Sequence, residues 1–189
     1  MFIAHMPAGF LVGALVAWRW PQAMVPAAWA AVLLGSVAPD LDLLYFYLVS
    51  DRSINHHVYP PHVPVVWLLT TALVGLCLWR APARWRSVWF LFCTGWLLHL
   101  VLDTVAGGIW WLWPWVTTPY VLMVVPRRFD NTWLNLLSHP SLLVEAGIVW
   151  AAWRQWCRPA QWAQTLRTKG VKRTIYAAQR PQRPYRTFL

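Results

Sequence analysis

The sequence predicts an all-α membrane protein: a polytopic bundle of about five transmembrane helices with a Trp-rich re-entrant or interfacial hairpin. Of its 189 residues, 59% are hydrophobic and only 12% are charged, whereas soluble domains are roughly 25% charged. Five stretches approach the roughly 20 apolar residues that span a bilayer. The 17 Trp suit a membrane protein, because Trp concentrates at the membrane–water interface. This composition excludes a disordered chain, a coiled coil and a disulfide scaffold.

The apolar stretches follow one another along the first 153 residues, at about 2–18, 24–49, 63–79, 88–105 and 133–153. The second stretch is interrupted by Pro39-Asp40-Leu41-Asp42. Proline has no N–H donor and disfavours helix at the residue before it, so we expect a broken helix there. Residues 107–126 are apolar but interrupted by Gly and Pro, which predicts the hairpin and not a sixth span.

The basic residues predict the orientation and a tail. Of the 16 Lys and Arg, 13 fall on the side reached after the first stretch and three on the other: Arg19, Arg80, Arg84, Arg86 and nine from residue 154 onward, against Arg52, Arg127 and Arg128. The positive-inside rule places the basic side in the cytoplasm of a bacterial inner membrane. We therefore predict a transmembrane metal-site domain at 1–153 and a basic cytoplasmic tail at 154–189, the latter along anionic lipid headgroups. The charge of +10 lies mostly in that tail, so no nucleic-acid binding is expected.

The few remaining ionisable residues predict a metal site. Charged groups within a bilayer are costly and mark functional positions, and His, Asp and Glu are ligands for zinc, manganese or iron. Nearly all of them fall at the outer ends of the apolar stretches. The candidate ligands are His5, Asp40, Asp42, His57, His62, His99, Asp103, His139 and Glu145. They predict one to three divalent ions, zinc first, near the periplasmic face.

Spacing adds detail but leaves choices open. His99 and Asp103 are four residues apart, so they share a helix face and can bind one ion. Asp40 and Asp42 would point apart on a regular helix. Either the break lets both reach one site, or one is a ligand while the other orients a histidine. The choice among His56, His57 and His62 is equally open.

The order of these motifs resembles that of the YdjM-like bacterial inner-membrane proteins, which are classed as metal-dependent hydrolases. The family pattern is an early His, Pro-Asp-hydrophobic-Asp, His-Arg-Gly-x-Thr-His and His-x-x-x-Asp, followed by Gly and Trp-Pro. The corresponding residues here, over about residues 1–145, are His5, Pro39-Asp40-Leu41-Asp42, His57 to His62, His99-x-x-x-Asp103, Gly107-Gly108 and Trp113-Pro114. The chain departs from the pattern at Val58 for Arg, Tyr59 for Gly and Pro61 for Thr.

The family is distantly similar to the soluble zinc-dependent phospholipases C, in which an all-helical multi-zinc site hydrolyses phosphoesters. The resemblance implies that His99 and Asp103 match the His-x-x-x-Asp pair of those enzymes. It further implies that His139 and Glu145 correspond to a later His and Glu, although here five residues separate them where the family-like spacing has three.

These features predict a membrane-embedded metal-dependent hydrolase that acts on a phosphoester of a lipid or lipid-linked substrate at the outer leaflet. Asp40 or Asp42 would bridge ions or act as general base, and Arg127 and Arg128 would bind the phosphate. The alternative is a non-catalytic, metal-stabilised membrane subunit or interaction protein. A metal or proton transporter is disfavoured, because the cytoplasmic halves of the apolar stretches are almost purely apolar.

Overall fold

The structure, a computed structural model, describes residues 3–51 and 54–158, apart from the side chains of residues 132, 133 and 136. The regular secondary structure of the described residues is helical, with an isolated bridge but no β-strand, so the all-α prediction is confirmed. The helices are α1 (His5–Arg19), α2 (Pro26–Gly35), α3 (Asp42–Leu48), α4 (Pro64–Cys77), α5 (Ala83–Asp103), α6 (Thr132–Leu137) and α7 (Ser141–Trp156). Short 3₁₀ turns at Pro21–Ala23, Pro39–Leu41, His56–Val58 and Pro60–His62 lie between them.

The chain divides into two compact units, Met1–Gln155 and Trp156–Leu189. The helices α1–α6 and nearly all of α7 belong to the first unit. The basic tail that the sequence predicts at 154–189 lies outside the described residues from residue 159 onward. Its boundary after residue 153 and its contact with lipid headgroups stay predictions.

The described helices supply one clear membrane span, or two. The 21 residues of α5 are long and apolar enough to cross a bilayer, and α2 with residues 39–48 qualifies as a second span if the bent pair is counted as one. The other long helices are shorter, at 15, 14 and 16 residues for α1, α4 and α7. A 15-residue helix rises about 22 Å, against a hydrocarbon thickness of about 30 Å. A five-span bundle is therefore not confirmed.

Prolines divide two of the predicted stretches. The second stretch breaks between Gly35 and Pro39, where the two halves meet at a bend of 61°, as the sequence predicts. The fifth stretch also divides: α7 begins at Ser141, after Pro140, and not near residue 133. The reason is the same, since the residue before a proline disfavours the helical conformation.

The tightest helix contact joins α2 to α5 through two glycines. A Cβ atom on Gly95 would overlap the carbonyl oxygen of Val32, and one on Gly35 would overlap that of Phe92. Small residues allow backbones to approach closely, as is common between membrane helices. This contact places the C-terminal end of α2, and with it the Ser36 carbonyl, beside the last two turns of α5.

Contacts between α1 and α5 define two opposite ends of the helices. At one end the His5 ring at the start of α1 stacks on His99 near the end of α5, with ring centroids 3.9 Å apart. At the other end, Val16 of α1 and Val88 of α5 pack on the same small core, which includes residues of α2. The helices α4 and α5 are antiparallel, because Trp67 and Trp89 donate to the carbonyls of Cys93 and Thr71. The start of α4 therefore joins His5 and His99.

The Trp-rich segment doubles back on the end of α5. Ile109 and Tyr120 exchange backbone hydrogen bonds of 3.0 and 2.9 Å across it, which form an isolated antiparallel bridge. The Trp111 indole donates to the Thr104 hydroxyl at 2.9 Å. Trp115 at the tip is 83% exposed. The segment is thus a non-helical hairpin beside the end of α5 that carries His99 and Asp103.

Candidate metal centre

Four side chains from separate parts of the chain converge at one end of the helices. Asp40 comes from the 3₁₀ turn that follows α2, His62 from the turn before α4, and His99 and Asp103 from the last two turns of α5. One ligand-type atom from each lies within 4.8 Å of all the others. His62 and His99 have no exposed surface, and Asp103 is 1% exposed. Asp40 is the more accessible carboxylate, with 31% of its side chain exposed.

Partners behind the two rings determine which nitrogens face the cluster. His99 Nδ1 donates to the Ser36 carbonyl at 2.9 Å, and His62 Nδ1 donates to Asp42 Oδ2 at 2.8 Å. Each Nδ1 therefore carries the proton, so in a neutral ring the Nε2 atom is a bare lone pair. The two Nε2 atoms face each other at 3.2 Å. Asp42 thus orients a histidine and is not in the four-atom group, a choice that spacing left open.

The four atoms fit a tetrahedral ion. Ligands about 2.0–2.1 Å from a zinc ion lie about 3.3–3.4 Å apart in a regular tetrahedron. Here the His62 and His99 Nε2 atoms are 3.7 and 3.6 Å from Asp40 Oδ1 and 3.6 and 3.0 Å from Asp103 Oδ2. Two lone-pair nitrogens and two carboxylate oxygens at these distances repel each other unless a cation lies between them. The donor set therefore fits a divalent metal.

The protonation of His62 points to the same need for a cation. Burial lowers the pKa of the His62 imidazole, but its hydrogen bonds with the surrounding carboxylates outweigh burial and raise the pKa to about 10. Without a metal, His62 therefore holds a proton among these oxygens. A metal ion at the cluster would take the place of that proton.

Two further histidines contact Asp103. His5 Nε2 donates to Asp103 Oδ1 at 3.1 Å, and its Nδ1 is buried, without a hydrogen-bond partner, 3.9 Å from Asp40 Oδ2. His57 Nε2 lies 3.5 Å from Asp103 Oδ2. Burial lowers the pKa of His57 to about 3, so its ring is neutral, which is the form that binds metal. Both residues adjoin the four-atom group, and their role as ligands stays a prediction.

The loop between α3 and α4 also brings His56 to the site. Ligand-type atoms of His56, His57 and His62 lie within 4.8 Å of one another. The Asn55 side chain accepts the His57 N–H at 3.1 Å and so caps the turn that carries the first two rings. This trio is a second group able to hold an ion, and the predicted range of one to three ions stays open.

The structure does not place His139 and Glu145 in either ligand group. His139 Nδ1 contacts the Ser141 hydroxyl at 2.9 Å and accepts the Ser141 N–H at 3.3 Å, at the start of α7. Glu145 accepts the N–H of Ile3, which ties α7 to the residues before α1. Glu145 nevertheless lines the cavity beside the cluster. For both residues, the ligand role that the resemblance implies stays a prediction.

A cavity of about 940 Å³ opens onto the cluster. Asp40, Asp103 and His57 contribute to its wall, and so does Arg127, whereas Arg128 is not among its lining residues. Apolar residues of α3 and α7 complete it, among them Leu43, Phe46 and Leu142. The cavity therefore combines the carboxylates, Arg127 and an apolar wall.

Two positioning groups escape prediction from the sequence. The Ser36 carbonyl that fixes His99 is a backbone atom, so no residue type could have indicated it. Asn135 is different: its Oδ1 accepts the N–H groups of Arg128 and Phe129 at 2.8 Å each, and its Nδ2 donates to the Phe129 carbonyl at 2.7 Å. In the sequence, an asparagine within an apolar stretch could have indicated this role. Asn135 fixes the segment that follows Arg127.

Comparison with known proteins gives one family. A family model described as YdjM inner membrane protein matches residues 1–168, a range that includes every candidate site residue. No curated protein matches the chain. No solved structure matches it.

Proposed function

The chain belongs to the family of YdjM inner membrane proteins, and we propose that it is a membrane-embedded metal-dependent hydrolase. Its proposed substrate is the phosphoester of a lipid or lipid-linked molecule at the outer leaflet. The observation that carries the proposal is the position of the His/Asp cluster at the wall of an open cavity. Structural metal sites are closed by protein ligands, whereas catalytic sites keep an accessible position.

The cluster residues have different roles in the proposed reaction. Asp40, His62, His99 and Asp103 would hold an ion, with zinc as the first choice and manganese or iron as alternatives. A bound ion of this kind lowers the pKa of its water toward neutrality and neutralises phosphate oxygens. A water from the cavity would have to join these four ligands as a fifth, which zinc accepts at catalytic sites. Asp40, the most exposed of the four, is the proposed acceptor of the proton from that water, through the carboxylate oxygen outside the four-atom group. Asp42 supports catalysis by holding His62 through Nδ1.

Arg127 is the proposed phosphate-binding residue. It lines the same cavity as Asp40 and Asp103, and a guanidinium can donate two parallel N–H bonds to a phosphate. Arg128, which the sequence also suggests, is absent from the residues lining that cavity and is assigned a supporting role at most. The apolar wall of the cavity suits an acyl or prenyl chain. This combination supports an amphiphilic substrate.

We propose that five spans cross the membrane: α1, the broken pair of α2 and α3, α4, α5 and α7. Along α5, His99 rises about 22 Å from Arg84. With Arg84 at the cytoplasmic interface, the cluster lies near the outer edge of a hydrocarbon core about 30 Å thick. The cluster would then lie about 8 Å inside that edge, in the outer half of the bilayer, and closer to the phosphates of the periplasmic leaflet than to those of the cytoplasmic leaflet.

The first experiment measures metal per chain by plasma mass spectrometry on detergent-purified protein. Wild type is expected to hold at least one equivalent of zinc, manganese or iron. The double variant His99→Ala/Asp103→Ala should lose it, and Arg128→Gln, outside the cluster, should keep it. Absence of metal from wild type even after reconstitution would refute the hydrolase.

The second experiment tests hydrolysis on metal-loaded protein with two probes, dioleoylphosphatidylglycerol and a polyprenyl diphosphate. We expect phosphate or phosphoester release that Asp40→Asn abolishes. Arg127→Gln should raise KM more than it lowers kcat, because a phosphate contact acts mainly on binding. Arg128→Gln is the matched control. Bound metal without turnover of either probe would favour the metal-stabilised structural subunit instead.

A further inference from the structure

A set of stacked Trp and Arg side chains lies at the end of the helices opposite the metal cluster. The Arg19 guanidinium lies 5.3 Å from the Trp20 ring centroid, Arg80 lies 4.7 Å from that of Trp79, and Arg84 lies 5.6 Å from that of Trp85. These six residues form what we call the Trp–Arg collar. A further stack, Arg154 over Trp150 at 4.9 Å, lies near the end of α7.

The collar residues come from separate segments at the same end of the helices. Arg19 and Trp20 end α1, while Trp79, Arg80, Arg84 and Trp85 flank the connection from α4 to α5. The packing of Val16 and Val88 on one core joins the end of α1 to the start of α5. The three pairs therefore lie toward the same end of the helices, away from the metal cluster.

The chemistry of the collar is cationic and exposed. Trp20, Trp79 and Trp85 are each 51–60% exposed, and the three arginines are exposed too. None of the six acidic residues of the chain lies in these segments, because Asp40, Asp42, Asp51, Asp103, Asp130 and Glu145 all fall elsewhere. The collar therefore has three fixed positive charges and no acidic residue of its own.

The indole rings leave guanidinium donors available. An indole has a π face and an N–H donor but no acceptor atom, so a guanidinium beside it at these distances keeps N–H donors for other acceptors. Those donors match the oxygens of a phosphate bidentately. Trp itself favours the headgroup level of a bilayer. A stacked pair at that level thus presents oriented donors to a lipid phosphate.

We propose that the Trp–Arg collar is a binding site for the phosphates of anionic phospholipids in the cytoplasmic leaflet, separate from the basic tail. It depends on membrane insertion and not on the proposed hydrolase activity. A lipid and not free phosphate is the proposed ligand, because each donor set lies beside an exposed indole, and indoles favour the headgroup level of a bilayer. The collar would also hold the cytoplasmic end of the bundle at a fixed depth.

The test uses the full chain in detergent with Cys77→Ser and Cys157→Ser, so that buried Cys93 reports unfolding to a thiol-reactive dye. Wild type should unfold at higher temperature with dioleoylphosphatidylglycerol than with dioleoylphosphatidylcholine. The triple variant Arg19→Gln/Arg80→Gln/Arg84→Gln should lose most of this difference. The matched tail variant Arg167→Gln/Arg173→Gln/Arg180→Gln should keep most of it.

Other outcomes overturn the proposal. Loss of the difference in the tail variant alone would assign lipid selectivity to the tail. A full difference in the triple Arg→Lys variant would show that point charges suffice and would refute recognition by guanidinium donors. An equal stabilisation by glycerol 3-phosphate would make the site one for free phosphate. If the triple variant does not fold, the single variants Arg19→Gln and Arg84→Gln should each lower the difference.

Discussion

The histidines of the cluster are oriented by hydrogen-bond partners on the far side of their rings. His62 and His99 present their Nε2 atoms to the cluster because Asp42 and the Ser36 carbonyl occupy their Nδ1 atoms. Such partners fix the tautomer and ring orientation of a metal-binding histidine. Asp40 and Asp42, two residues apart, therefore have different tasks: the first faces the cluster and the second supports a ring. This difference gives the first prediction.

Asp42→Asn should weaken metal binding without abolishing it. An amide in place of the carboxylate keeps the shape but removes the charge that strengthens His62, and loss of such a partner typically costs about 10–100-fold in metal affinity. Asp40→Asn should weaken binding further, because it alters an atom of the cluster itself. Competition with a chromophoric chelator measures both.

The control is Asp130→Asn, a carboxylate that lines the cavity but belongs to neither ligand group. It should bind metal as wild type does. Equal losses in Asp42→Asn and Asp40→Asn would make Asp42 a ligand and contradict the assignment.

Metal affinity should rise with pH. The raised pKa of His62, about 10, means that the metal-free protein is protonated there at neutral pH, and a metal must displace that proton. A site that releases one proton gains about tenfold in apparent affinity per pH unit below this pKa. Chelator competition at pH 6.5, 7.5 and 8.5 tests the slope. An affinity independent of pH would show that His62 is neutral before metal binds.

The raised pKa has a second consequence for the metal-free protein. Protonated His62 stabilises the fold below the ordinary pKa of about 6.5, and this contribution is lost as pH rises through about 10. Metal-free protein should therefore unfold more easily at pH 10 than at pH 7. Metal-loaded protein, in which the Nε2 atom of His62 binds the ion and holds no proton, should not show this drop. Thermal unfolding of the two forms across this range measures it.

Among the elements, α2 and α5 position the cluster. Their contact at Gly35 and Gly95 brings Ser36 to His99, so a packing defect there is also a defect in the site. The sequence did not show which helices meet, because that depends on tertiary contacts between residues some 60 positions apart.

Gly95→Ala and Gly75→Ala should shift stability in opposite directions. The new Cβ at Gly95 meets the carbonyl of Val32, whereas at Gly75 it meets open space. Overpacking costs about 1–3 kcal/mol, while alanine is favoured over glycine in a helix by about 1 kcal/mol. Thermal unfolding of the full chain in detergent, with metal content alongside, measures both. A stabilised Gly95→Ala variant would contradict the close packing of α2 on α5.

Local signals indicated two features around the cluster better than they indicated the helix boundaries. Proline marked the break beside Asp40, and the spacing of His99 and Asp103 placed both on one face, because each is a property of a few neighbouring residues. The start of α7 after Pro140 and the division of labour between Asp40 and Asp42 depend on contacts with other elements. The same holds for His139 and Glu145, because the sequence showed their residue types but not the groups that they contact.

At the scale of the whole molecule, charge and metal chemistry occupy opposite ends of the helices. The acidic and imidazole groups gather where α1 begins and α5 ends, and the collar arginines gather where α1 ends and α5 begins. Positive charge close to a membrane span favours the cytoplasmic side. The bundle should therefore be inserted with the cluster facing outward, which is also the orientation that the proposed substrate requires.

Single cysteines should report that orientation. In a background of Cys77→Ser, Cys93→Ala and Cys157→Ser, Ile54→Cys lies at an exposed position in the loop before His56, and Ala83→Cys lies at the exposed start of α5. A membrane-impermeant maleimide added to spheroplasts should label Ile54→Cys, and should label Ala83→Cys only in inverted vesicles. The reverse pattern would place the cluster in the cytoplasm and move the proposed substrate to the inner leaflet. Labelling of both from outside would show that α5 does not cross the membrane, and the depth argument for a lipid phosphoester would fail with it.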